Sequence, residues 1–142
     1  MIIEVETDQQ IADCYETLLE LRPNIEFESF VSLVREMYSD GYSLVSVSEN
    51  GEVVALAGYR ISCNFALGKK LYVEDLVTRS HARSKGSGGQ LLAFLEAKAS
   101  ELGCKVMHLD SGTQRHRAHK FYLTHKFEIL AYHFVKQIQF ST

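Results

Sequence analysis

Apolar residues recur along the chain at two periods, and the switches between them mark out the elements. Residues 1–7, MIIEVET, alternate weakly, as an edge strand does. Thr7 with Gln10 three positions on predicts a capping box. Ile11, Cys14, Tyr15, Leu18, Leu19 and Leu21 then keep the spacing of one helix face until Pro23 ends the run. Phe27, Phe30, Val31, Val34, Met37 and Tyr38 repeat that spacing, and Gly41 stands where a helix end favours a left-handed residue. From residue 42 the pattern becomes strand-like. YSLVSVSENGEVVALAGYRIS predicts two antiparallel strands around the tight turn Asn50-Gly51, and KKLYVEDLVT predicts a third. Helical spacing returns at Leu91, Leu92, Leu95, Ala99 and Leu102 and closes at Gly103. CKVMHLDS follows as a short strand, so strand, helix and strand form a unit with parallel strands. TQRHRAHKFYLTHKF predicts a last helix and EILAYHFVKQIQF a closing strand.

The order β-α-α-β-β-β-α-β-α-β predicts an α/β fold: a central twisted mixed sheet flanked by four helices, with helices on both faces. At 142 residues, 46% of them apolar, the chain has the size of a single domain spanning 1–142. A formal net charge of −3 supplies no global basic field, which argues against a nucleic-acid partner. The first residues show no basic segment followed by an apolar one, and no window reaches membrane-spanning length. The expectation is a cytoplasmic protein with no membrane partner. Cys14, Cys63 and Cys104 are odd in number and far apart, which fits neither a disulfide framework nor a CxxC metal site. His116 and His119 are spaced to approach one metal, but no carboxylate or cysteine stands at a matching spacing, so no metal is expected.

The candidate chemistry begins at RSKGSGG, residues 83–89, between a predicted strand and a predicted helix. A helix N-terminus leaves backbone N–H groups without partners and is partly positive, so it attracts phosphate. Gly86, Gly88 and Gly89 let the backbone approach an anion and turn its N–H groups inward. Arg83 and Lys85 add positive charge, and Ser84 and Ser87 add hydroxyl donors. The spacing is neither G-x-x-x-x-G-K-[ST] nor G-x-G-x-x-G, which removes P-loop and dinucleotide-binding readings. What stands there is R-x-x-G-x-G.

With this motif the chain resembles the GNAT family of N-acetyltransferases. Arg83-Ser84-Lys85-Gly86-Ser87-Gly88 matches the family's acetyl-CoA signature, Leu76-Val77-Thr78 precedes it at the spacing of the family's L-x-V strand end, and the order of elements agrees over essentially the whole chain. The resemblance implies the GNAT fold and acetyl-CoA as cosubstrate, its pyrophosphate held by Arg83, Ser84, Lys85, Gly86, Ser87, Gly88 and Gly89. It also implies that the strand carrying EDLVT splays from the next parallel strand, so that backbone groups of Leu76, Val77 and Thr78 bond the pantetheine arm.

The family's second motif, N-x-x-A-x-x-[FL]-Y-x-x-x-G-F, resembles RHRAHKFYLTHKF and places Tyr122 on the tyrosine that protonates coenzyme A sulfur. Spacing alone favours Tyr122 as a core aromatic with its hydroxyl at the rim, and the motif match reverses that preference. Two departures stand out: Arg115 where many members have Asn, so that it faces coenzyme A phosphate or pantetheine groups, and His125 where most have Gly. Glu74-Asp75 is similar to an acidic pair in the family's diamine acetyltransferases, whose first acid is the proposed base. That points to Glu74, with Asp75 as a structural partner for a helix terminus or a water relay as the alternatives. Strand alternation puts the two acids on opposite faces, so that one reaches the cleft.

The activity implied is transfer of an acetyl group to a primary amine of a small molecule or a protein by direct attack in a ternary complex. The alternative is a non-catalytic acyl-CoA-binding or sensing module of the same fold. The resemblance places the acceptor between the first two helices, RPNIEFESF and the last strands, where Glu26, Glu28, Tyr38, Tyr132 and His133 would line it. A homodimer, common in the family, is a further partner it allows.

Overall fold

The computed structural model describes residues 1–83 and 85–139, and the chain falls into two compact units, residues 1–109 and the segment from Asp110 onward. The first unit carries β1 (Ile2–Glu4), α1 (Asp8–Asp13), α2 (Tyr15–Leu19), α3 (Phe27–Ser39), β2 (Tyr42–Glu49), β3 (Glu52–Asn64), β4 (Gly68–Thr78), a 3-10 turn (Ser80–Ala82), α4 (Ser87–Glu101) and β5 (Val106–Leu109). Its five strands lie side by side in chain order, with β1 to β4 antiparallel and β5 parallel to β4.

The predicted caps and turns are present. The Thr7 hydroxyl accepts from the Gln10 N–H at 3.1 Å, and the Gln10 side chain accepts from the Thr7 N–H at 3.0 Å. Asn50 and Gly51 both have positive φ, 53° and 79°, as the tight hairpin between β2 and β3 needs. The first predicted helix is interrupted. The Cys14 N–H bonds to Ile11 O at 3.0 Å, a tightened turn, and Leu18 N–H then bonds to Cys14 O, so α1 and α2 are one helix broken at a buried cysteine.

Each sheet face has its own core. Val45, Val47, Ala55, Ala57, Leu71 and Val73 pack with Leu91, Leu95 and Ala99 of α4. On the opposite face Leu44, Leu56 and Val77 pack with Ile11, Cys14, Leu18, Phe30 and Val34 of α1 to α3. The mixed sheet with helices on both faces is therefore the observed architecture. Counting α1 and α2 as one interrupted helix, and with α5 (His116–Thr124) of the second unit, the helices number four among the described residues.

β4 serves both cores because of a bulge. Its pairing with β3 runs Tyr59↔Val73 and then Gly58↔Asp75, leaving Glu74 as the extra residue. Without it, residues 71, 73, 75 and 77 would share one face. With it, Leu71 and Val73 join the α4 core while Val77 joins the other. On that second side the Tyr42 ring crosses β3 over Gly58. A Cβ built on Gly58 would stand 1.7 Å from the Tyr42 hydroxyl oxygen and 2.3 Å from its Cζ, so only glycine fits beneath the ring.

The second unit contains α5 (His116–Thr124). The predicted closing strand is not formed: residues 128–139 carry no regular structure and enter no strand pairing among the described residues, and Phe140 lies outside them. Alternating side chains supply a face for a strand, but its backbone bonds come from a neighbour, which a one-dimensional pattern does not specify. The observed order accordingly ends in a helix. The chain leaves α5 through Lys126, whose φ is +73°, whereas His125 has φ −90°. The glycine position of the second motif thus falls on Lys126, and the expected departure at His125 is corrected to that residue.

Two changes test this account by urea unfolding. Gly58→Ala should lower stability by about 1–3 kcal/mol through overpacking, and should cost less in a Tyr42→Ala background, where the ring is gone; equal costs in both backgrounds would contradict the contact. Lys126→Gly should raise stability by about 0.5–1 kcal/mol by relieving a left-handed lysine, net of glycine's chain entropy. No gain would show that the turn carries no strain.

Candidate active site

The glycine turn sits at the start of a 15-residue helix, α4. Gly86 is its N-terminal flanking residue in the left-handed conformation, φ 86° and ψ 5°, and the first helical bond runs from Gln90 N–H to Gly86 O at 3.0 Å. The N–H groups of Ser87, Gly88 and Gly89 precede that bond, and among the described residues no side chain caps them. Lys85 and Arg83 are exposed beside the turn, Ser87 is buried, and Ser84 lies outside the described residues. Arg83 Nε donates to Thr78 O at 3.3 Å, tying the cation to the end of β4.

Glu20, just past α2, anchors the approach to this turn. It accepts from Ser80 N–H at 3.0 Å and from the Ser80 hydroxyl at 2.7 Å, with Arg79 at 3.5 Å and Arg83 at 4.0 Å. The Ser80 hydroxyl above all holds the Glu20 carboxyl below its ordinary range.

The parallel pairing of β4 with β5 stops at Val73↔Leu109. Beyond it Leu76, Val77 and Thr78 pair only with Ala57, Leu56 and Ala55 of β3. Backbone groups of a strand alternate in direction, so one edge of this segment offers N–H and C=O groups that no residue of β5 takes. The ladder with β5 thus ends one residue before the bulge, where β5 itself ends.

Beside the bulge, between α2, α3 and β2, lies a cavity of about 260 Å³. Both Glu74 and Asp75 line it, contrary to the alternation expected, because a bulge places two residues where one would stand. Their circumstances differ. Asp75 is 7% exposed: its Oδ2 accepts from the Tyr42 hydroxyl at 2.6 Å and its Oδ1 from Arg22 at 2.9–3.0 Å. Burial first, and then the Asp75 charge, push the Tyr42 phenol far up, so it remains a donor. Arg22 also donates to the backbone O of Glu74 at 3.2 Å, clamping the bulge from the end of α2. Asp75 is thus a structural residue, held by the side chains of Arg22 and Tyr42 rather than by a helix terminus. The Glu74 side chain is 29% exposed, and Oε1 accepts from Arg60 Nε at 2.8 Å.

Tyr42, Arg60 and Gly58 went unremarked in the sequence, where the one signal for them is a glycine inside an otherwise apolar strand, while Arg22 opens the RPNIEFESF segment expected at the acceptor site. Of the residues expected around an acceptor, Ile25 of RPNIEFESF lines the cavity and Glu26 and Glu28 do not. The Tyr38 hydroxyl is occupied elsewhere, donating to Val5 O at 2.7 Å and accepting from Leu44 N–H at 3.2 Å. Tyr132 and His133 belong to the second unit, where Tyr132 is exposed and His133 Nδ1 stands 3.9 Å from Asp110.

Within the second unit, Tyr122 lies on α5 with its ring edge-on to Phe121 and Phe127, centroids 5.6 and 5.7 Å away. Burial pushes its phenol above the ordinary value, and the Arg115 guanidinium partly opposes this. Arg115 is the N-terminal flanking residue of α5, its N–H on Gly112 O and its O accepting from His119 N–H, both at 3.0 Å. The ring of His119 contacts Gly112 O through Nε2 at 2.7 Å. Among the described residues no cluster of histidine, cysteine and carboxylate could hold a metal, and no helix is long and apolar enough to cross a membrane.

Comparison with known proteins places this geometry. The acetyltransferase (GNAT) family model matches residues 9–127. The uncharacterized N-acetyltransferase YhdJ of Bacillus subtilis strain 168 is 31% identical over 120 residues, which cover 84% of each chain. An aminoalkylphosphonate N-acetyltransferase of Salmonella typhimurium is 28% identical over 90 residues, 63% of this chain and 58% of that one. The solved aminoglycoside N-acetyltransferase AAC(6')-Iy, in complex with CoA, superposes with a TM-score of 0.86 over 98% of this chain and 94% of its own; at 15% identity that likeness is one of fold. The uncapped glycine turn, the bulged strand that leaves its neighbour and a family match over most of the sequence lead to one conclusion: the chain belongs to the GNAT acetyltransferase family.

Proposed function

We propose that the protein is an acetyl-CoA-dependent N-acetyltransferase that moves the acetyl group to a primary amine by direct attack in a ternary complex. The observation that carries this reading is the glycine turn, left-handed at Gly86 with uncapped amides at the head of a long helix. That arrangement fits a diphosphate: Ser87, Gly88 and Gly89 offer N–H groups, and Arg83 and Lys85 beside them offer charge. The complex of AAC(6')-Iy with CoA, on the same fold, supports coenzyme A as the ligand. Bound acetyl-CoA supplies an activated thioester carbonyl and a thiolate leaving group.

The chain's own residues supply the rest. The unpaired edge at Leu76, Val77 and Thr78 suits an arm that carries amides, which would be held there as an added strand is held. Glu74, the more accessible of the two acids beside the bulge, takes the proton that the amine must lose, directly or through a water. Tyr122 gives a proton to the departing sulfur. Burial raises its phenol above the ordinary value near 10, so it keeps that proton throughout the neutral range.

Calorimetric titration and a thiol-release assay test this. A Cβ on Gly86 meets nothing within 4 Å, so Gly86→Val acts through the backbone: valine resists φ 86°, the turn reorganises, and acetyl-CoA affinity should fall at least about 100-fold. Retained affinity would contradict the pyrophosphate assignment. Tyr122→Phe should lower kcat by about 10²–10⁴ with acetyl-CoA affinity unchanged, and unaltered turnover would remove the acid role. Tight binding of acetyl-CoA without turnover on any amine would instead favour the acyl-CoA-binding module.

A further inference from the structure

The cavity beside the β4 bulge has one polar end and an apolar remainder. Leu18, Ile25, Phe30, Leu33, Val34 and Met37 form most of its wall, and Glu74, Asp75 and Arg22 supply its charge. Those charges are not equally available. Both oxygens of Asp75 are engaged, one by Tyr42 and one by Arg22. Glu74 has Oε1 on Arg60, and Oε2 has no protein partner among the described residues. The site therefore presents one open carboxylate oxygen; of the other two charged side chains on its wall, Asp75 is saturated and Arg22 is a cation.

We infer that this cavity receives the acceptor, and that the acceptor is a small monoamine on an apolar body, an alkylamine or arylalkylamine. This rests on the acetyltransferase reading. The charge count is the first argument. One ammonium can be met at Glu74, but a second on the same molecule would have to lie against leucine, phenylalanine and methionine side chains or approach Arg22, and an unpaired buried charge is costly. A polyamine, which the acidic pair at first suggests, is therefore disfavoured. Volume is the second argument. About 260 Å³ is the space of roughly eight or nine water molecules at about 30 Å³ each, enough for hexylamine or 2-phenylethylamine. Position is the third. Glu74 and Asp75 lie between Val73, the last β4 residue paired with β5, and Leu76, so an amine at Glu74 stands next to the backbone assigned to the thioester arm.

The test is a chain-length series, from ethylamine to hexylamine with 2-phenylethylamine, spermidine and Nα-acetyl-lysine amide, assayed by thiol release from acetyl-CoA. Each added methylene should raise kcat/KM about fourfold until the cavity is full, with spermidine and the lysine amide well below hexylamine. Leu33 is 41% exposed on α3, so Leu33→Asp should leave folding and acetyl-CoA affinity intact while flattening the series and raising KM for hexylamine at least about tenfold. A flat series in the wild type, or spermidine as the better substrate, would overturn the inference and leave the transferase reading standing. Thermal stabilisation by the amines alone separates the two failures. Absence of acetyl-CoA binding would sink the transferase reading, while a shift in Tm that grows with chain length and is lost in Leu33→Asp would still assign the cavity to apolar amines.

Discussion

Asp75 has to be both buried and charged, and the part of the protein that matters for its chemistry is arranged around that requirement. A carboxylate 7% exposed is tolerated only where donors replace water, and here they come from distant parts of the chain: Tyr42 at the start of β2 and Arg22 beyond α2. Meeting them requires Asp75 to face the α1–α3 side, although Leu71 and Val73 on the same strand face α4. The extra residue Glu74 reconciles these demands. The bulge is thus the geometric consequence of one buried acid and one apolar strand serving two cores. Arg22 reinforces it by holding the Glu74 carbonyl as well.

That constraint extends outward. Tyr42 reaches Asp75 across β3 only because position 58 lacks a side chain, so a glycine two strands from the helix-forming loop is part of the same device. In the other direction, β4 separates from β5 at the residue before the bulge, and the strand that follows runs into the turn from Arg79 to Gly86. Glu20 fixes that turn from the end of α2, close to Arg22 in sequence. The end of α2 therefore sets both the bulge and the approach to the glycine turn. The break at Cys14 belongs to the same requirement: tightening there keeps Ile11, Cys14 and Leu18 buried on one face while the helix ends where Glu20 and Arg22 are needed.

Features governed by short-range rules were legible in the sequence. The capping box at Thr7, the hairpin at Asn50-Gly51, the 13 residues of α3 and the 15 of α4 all follow from spacing, caps and turn chemistry. The glycine turn was legible for the same reason, since helix-end electrostatics and left-handed glycine are local properties. What the sequence could not disclose depends on partners far along the chain. Alternation along LYVEDLVT is unbroken in burial, yet its two halves face different cores, and only the pairing with Gly58 and Tyr59 reveals the switch. The predicted closing strand failed similarly, because its pattern gave a face without a neighbour. At the second motif the expectation at His125 was a miscount: with Tyr122 on the motif's tyrosine its glycine falls on Lys126, which is the left-handed residue.

The acidic pair shows how the same side chain acquires two roles on adjacent residues. Alternation allowed only one of the two acids to reach the cleft, and the family resemblance pointed to Glu74. The bulge brings both to the cavity, and hydrogen bonding separates them: Asp75 is saturated by a phenol and a guanidinium, whereas Glu74 retains an oxygen with no protein partner among the described residues. A saturated carboxylate can hold a strand but has no lone pair to offer an amine, and a carboxylate with a free oxygen can receive a proton. Arg22 and Arg60 keep the two negative charges from raising one another's cost, so the pair can sit beside an apolar cavity without a further cation. The chemistry proposed at Glu74 thus depends on Asp75 being unable to perform it.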